Sequence, residues 1–165
     1  MKNRWIALYV ENQVGVLAKV SGLFSGKSYN LQSLTVGTTE HEDVSRMTIS
    51  VQADDVTFEQ IKKQLNSMVE VIKVMDLTAV PVHSKEILYA KIHGIDAAGK
   101  EEAFRIAQVF KIRVIDIGED SVLLESALTE RRNNELVALL KKTYRRIEIV
   151  RGGAVAIESI STSCR

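Results

Sequence analysis

The segment with the clearest capacity for chemistry is Glu11-Asn12-Gln13-Val14-Gly15-Val16-Leu17, which joins a short apolar run to a helical one. A helix start exposes backbone N–H groups that have no intrahelical acceptor, and its dipole favours an anion such as a carboxylate. Gly15 lets a ligand approach the backbone closely, whereas Asn12 could bind a ligand or simply cap the helix. Asn30, after Ser28-Tyr29, has the same two readings. It is a turn residue, or an amide whose carbonyl accepts from an ammonium and whose NH₂ donates to a carboxylate. Those are the two charged groups of a free amino acid, and Val16, Leu17, Leu34 or Val36 would wall its aliphatic side chain.

Other chemistries find no constellation. His41, His83 and His93 lack the helical i,i+4 spacing of a zinc pair, and the single cysteine, Cys164, has no internal partner. We expect no catalytic residues and no metal site. The chain has no Gly-Lys-Ser/Thr phosphate loop, no Gly-x-Gly-x-x-Gly and no Gly-x-Ser-x-Gly elbow. Gly22 and Gly26 read as part of a helix or its end. Lys and Arg total 22 against 21 Asp and Glu, so a net charge of +1 provides no field for a phosphate backbone. The third strand of the first half carries no aromatic on which bases could stack, and the basic run from Arg131 to Arg146 is diluted by Glu130, Glu135 and Glu148. We expect neither nucleic-acid nor membrane binding. No apolar run approaches the roughly 18 residues of a spanning helix, and Met1-Lys2-Asn3-Arg4 leads straight into an alternating segment. With one cysteine, this fits the reducing cytoplasm.

Periodicity supplies the elements that must position these residues. Ile6 to Val10 reads as a strand, and Val16, Leu17, Val20, Leu23 and Phe24 share a helical face. Leu31 to Val36 and Val44 to Val51 read as strands, followed by Phe58, Ile61, Leu65 and Met68 at helical spacing behind a capping-box candidate at Thr57, and then by a strand at Val71 to Val74. The order βαββαβ recurs: Ile87 to Ile92, a helix through Ala103 and Phe110, Val114 to Ile117, Val122 to Leu124, a helix through Leu136 and Leu140 capped by Thr129, and Ile147 to Val150 leading into Ala154 to Ile157. The only proline, Pro81, marks the boundary between residues 1–80 and 81–165. The fold class is therefore α+β, with tandem ferredoxin-like units whose helices cover one sheet face. The other face needs cover as well, so we expect a homodimer.

Glu11-Asn12-x-x-Gly15-x-Leu17, Gly22-Leu23-Phe24-Ser25, Tyr29-Asn30-Leu31-x-Ser33-Leu34-Thr35-Val36 and Ser45-Arg46-Met47-Thr48-Ile49 together resemble the small regulatory subunit of acetolactate synthase (acetohydroxyacid synthase). The first half resembles an ACT domain. Lys85-Glu86-Ile87-Leu88 and Ile115-Asp116 resemble the family's second domain, with Glu125-Ser126-Ala127-Leu128 and Arg151-Gly152-Gly153 as departures from its usual pattern. The resemblance implies a non-catalytic partner of a large subunit that carries thiamine diphosphate, Mg and FAD, with no cofactor on this chain. The small subunit would activate that enzyme and transmit feedback inhibition by valine, or by leucine or isoleucine. It also implies an effector held between the ACT domains of two chains by Asn12, Gly15, Val16 and Leu17 on one side and Asn30 on the other. The rival readings are a free-standing amino-acid sensor and a small dimeric αβ enzyme.

Overall fold

In the computed structural model, which describes residues 2–160, alternation and helical periodicity resolve into two repeats of one element order. The first comprises β1 (Lys2–Glu11), α1 (Val16–Gly26), β2 (Asn30–Thr38), β3 (Val44–Ala53), α2 (Asp55–Asn66) and β4 (Val71–Asp76). The second comprises β5 (Val82–His93), α3 (Ala97–Phe110), β6 (Arg113–Ile117), β7 (Ser121–Leu128), α4 (Glu130–Thr143) and β8 (Ile147–Glu158). Each forms a four-stranded sheet, in the order β2-β3-β1-β4 and β6-β7-β5-β8. This is the ferredoxin-like arrangement expected from the sequence.

In the first sheet, Ile6, Leu8 and Val10 of β1 and Met47, Ile49 and Val51 of β3 point to one face, where Val20 and Phe24 of α1 and Ile61 and Leu65 of α2 close the core. Sealing such side chains from water stabilises by roughly 1.5 to 3 kcal/mol each. Leu17 departs from the expected stripe: it is exposed, while Val16, Val20 and Phe24 are buried. Met68 falls beyond the end of α2 and packs on the core from the following turn. The α2 cap also differs. Asp54, not Thr57, is the N-cap, and its carboxylate accepts from the Thr57 N–H at 2.7 Å. A carboxylate at that position satisfies an orphan donor and meets the positive end of the dipole.

The face of this sheet away from the helices is partly covered by the chain itself. Ala7, Leu77 and Ala156 form a small buried cluster with Trp5, Met75 and Val82 against it. The Ser159 N–H donates to the Pro81 carbonyl at 2.9 Å. The compact units are therefore residues 2–83 with 155–160, and Ser84–Ala154. The segment from Val155, assigned by sequence to the second half, belongs with the first unit.

In the second unit, Leu88, Ala90 and Ile92 of β5 and Leu124 of β7 pack under Ala103 and Ile106 of α3 and Leu136 and Leu140 of α4. Thr129 caps α4 as expected, accepting from the Arg132 N–H at 3.3 Å. Glu86 shares the core-facing phase of β5 and is 4% exposed. Arg151 grips it through Nε and Nη2 at 2.9 and 2.8 Å, and Asn133 Nδ2 donates to it at 3.0 Å. Asn133 in turn accepts from Ser126 at 2.6 Å. A carboxyl group in a core needs such partners, because each acceptor left unmet there costs free energy. Burial, and after it the neighbouring Glu86, push the Glu130 carboxyl above its ordinary value. The two expected segments at Ile147 to Val150 and Ala154 to Ile157 are one strand, and β8 runs through Gly152, where any Cβ would stand 2.6 Å from Ile87 Cγ2.

Candidate amino-acid site

At the end of β1, the Glu11 N–H donates to the Glu70 carbonyl at 2.9 Å and the Asn12 N–H to the Asp43 carbonyl at 2.8 Å. Asn12 does not cap α1. Its Nδ2 donates to the Glu42 carbonyl at 2.9 Å, and its Oδ1 accepts from the Ser45 hydroxyl at 3.0 Å. The side chain thus ties the β1–α1 loop to the β2–β3 turn. Gly15 is the N-cap, with φ 88° and ψ −11°, and no side chain occupies the capping position. Positive φ at this point is what glycine supplies without a steric cost, and no heavy atom lies within 4 Å of the place a Cβ would take. In the first turn of α1 the Val16 N–H is directed at the Gln13 carbonyl at 3.4 Å, a long contact, and the approach past Gly15 is open.

Val16 contributes backbone only, because its side chain is buried in the core. Leu17 and Val36 are exposed, whereas Leu34 packs against the core. Beside the loop, Lys19 pairs with Glu70, and this contact holds the Glu70 carboxyl below its usual range. Ser45, Glu42 and Glu70 were not singled out by sequence. Nor was Lys19, because its partner Glu70 comes from a distant segment and no local spacing marks the pair.

Asn30 opens β2, exposed, with Nδ2 3.4 Å from Gln52 Oε1 and Oδ1 accepting from Gln32 at 3.1 Å. The register separates it from the loop. Asn30 pairs with Gln52, which also pairs with Asn3, whereas Glu11 pairs with Val44 at the other end of the sheet. Asn3 to Glu11 spans about 26 Å of strand at ~3.3 Å per residue. One chain brings Asn12, Gly15, Val16 and Leu17 together, but it does not bring Asn30 to them. Among the described residues, no group of His, Cys, Asp and Glu could hold a metal ion, and no helix is long and apolar enough to cross a membrane.

A ferredoxin-like unit with an uncapped, glycine-started first helix, followed by a second copy of the same topology, defines the class: a tandem α+β protein headed by an ACT domain. Residues 6–73 match the model described as "AHAS small subunit-like ACT domain", and residues 85–160 match "Small subunit of acetolactate synthase". The acetolactate synthase small subunit of Aquifex aeolicus is 37% identical over 92% of this chain and 79% of its own length. A probable acetolactate synthase small subunit of Archaeoglobus fulgidus is 40% identical, over 92% of this chain and 94% of its own. The crystal structure of the acetolactate synthase small subunit of Thermotoga maritima superposes with a TM-score of 0.86 at 30% identity, covering 98% of this chain and 99% of that one. The chain belongs to the acetolactate synthase small subunit family.

Proposed function

We propose that this chain is the non-catalytic regulatory partner of an acetolactate synthase large subunit, activating it and conveying feedback inhibition by a branched-chain amino acid. In this reading thiamine diphosphate, Mg and FAD reside on the large subunit. The observation that carries the effector site is the separation of Asn30 from the Asn12–Leu17 loop along a sheet whose edge strand is β2. If the β2 edges of two chains pair antiparallel about a two-fold axis at Leu34, the middle of the strand, Asn30 of one copy lies level with Thr38 of the other. Thr38 pairs with Ser45, at the same end of the sheet as Glu11 and the loop. Pairing two open edges also satisfies backbone groups that an exposed edge leaves to water. The amino acid's carboxylate would take the N–H groups at the start of α1, its ammonium an asparagine carbonyl, and its side chain the exposed Leu17 and Val36.

Reconstitution with the cognate large subunit, with and without valine, leucine and isoleucine, is the test. The expected result is no synthase activity from this chain alone, higher activity when the two are mixed, and inhibition by at least one of the three. Gly15→Asp should retain activation and lose inhibition, since it sets a carboxylate against that of the ligand. Synthase activity in the chain free of large subunit, or a large subunit indifferent to it, overturns the assignment.

A further inference from the structure

We propose that the second unit carries a binding site for a phosphate-bearing small molecule, in the recess of about 480 Å³ bordered by His93, Gly94, Ile95, Tyr144, Arg145 and Arg146. This corner is the second unit's counterpart of the loop assigned above to the amino acid. In the first unit the Glu11 N–H donates to Glu70, and in the second the His93 N–H donates to Arg146 at 3.0 Å. The backbone connection is the same and the charge is opposite. Where the first unit has two carboxylates and Lys19, the second has an imidazole and two guanidinium groups.

The arginines are also uncommitted. Every other arginine among the described residues holds a carboxylate, except Arg46, which holds the Ala156 carbonyl and the Thr48 hydroxyl. Arg145 and Arg146 make no side-chain hydrogen bond or ion pair within the described residues, and both are exposed. Two carboxylates of neighbouring elements have other partners: Glu148 faces Lys91 at 3.6 Å and His93 at 4.0 Å, and Glu102 faces Arg105 at 3.5 Å. Gly94 takes φ 64°, and the Arg146 side chain lies beside it, with Nη1 3.9 Å from where a Cβ would stand. The Thr143 hydroxyl is turned away, donating to Leu139 at 2.9 Å. Two free forks at one recess suit the tetrahedral oxygens of a phosphate, and Ile95 and Tyr144 give an apolar wall to whatever carries it. The volume is that of a small-ligand cleft and too small for a protein element.

Calorimetric titration of the full chain with pyrophosphate tests the proposal. The expected result is saturable binding of one pyrophosphate per chain that weakens as salt rises and falls by about tenfold or more in R145A/R146A. Both side chains are exposed, and the Arg146 contact to His93 is made by backbone, so the variant should keep the wild-type circular dichroism. Should it not, the single change R145E carries the same expectation. Absent binding, or binding unchanged in a folded variant, overturns the site. Retention on phosphatidylglycerol vesicles without pyrophosphate binding overturns the small-molecule assignment.

Discussion

At the scale of single residues, Asn12 and Glu86 show how much a polar side chain depends on its neighbours. Asn12 has its amide occupied by the β2–β3 turn, so its first contribution is to hold the loop in place beneath the open helix start. Glu86 is accommodated in a core because Arg151 and Asn133 complete its hydrogen bonds. Arg151→Met should therefore cost about 3 kcal/mol, the low end for breaking a buried pair, because the arginine side chain is already 35% exposed. Urea unfolding of the two proteins measures it, and a loss below about 0.5 kcal/mol, the scale of an ordinary surface change, would contradict the account.

At the scale of elements, capping and ion pairs make a pH signature. The Thr57 backbone N–H holds the Asp54 carboxyl below its ordinary value, Lys19 does so for Glu70, and Arg132 for Glu135. A carboxyl depressed in the folded state contributes stability above its unfolded pKa and loses it as pH falls through the folded one. Glu130 acts in reverse: its folded pKa is raised, so its contribution is present at low pH and declines as pH rises past the ordinary carboxylate value. Asp76 joins the depressed groups, held below its ordinary value by the Thr78 backbone N–H and Lys62 in spite of its burial, and four depressed groups against one raised carboxyl predict net destabilisation below about pH 4, read as a falling thermal midpoint. A midpoint that climbs on acidification would refute this. Asp54→Ala should lower stability at neutral pH, with the loss shrinking in acid as the native carboxylate is protonated. The same urea titration at two pH values decides it.

At the scale of the whole molecule, the proposed effector site exists only in a pair of chains, and linkage then requires the effector to favour pairing. A 100-fold preference for the dimer corresponds to roughly 2.7 kcal/mol, enough to shift a dilution series visibly. Asn30→Ala should leave the dimer intact without ligand and reduce the ligand-driven tightening, since Asn30 is exposed and makes only side-chain contacts to Gln32 and Gln52. Sedimentation velocity with and without valine, leucine and isoleucine reads both quantities. Tight amino-acid binding to a species that stays monomeric would defeat the shared site.

The repeated βαββαβ order and the two cores were legible in sequence, because hydrophobic period is a local property. Pairing of distant segments was not. That Asp54 caps α2 in place of Thr57, two competing caps close in sequence, was settled by which backbone turned first into helix. That Ala156 returns to Ala7 and Leu77 depends on small residues meeting across the chain, which no periodicity encodes. Asn12 and Asn30 were chosen together by residue chemistry, yet only strand register shows that they lie at opposite ends of one sheet. Arg145 and Arg146 were read as part of a diluted basic face because sequence counts neighbouring charges, whereas folding pairs the acids with other partners and leaves these two beside one recess.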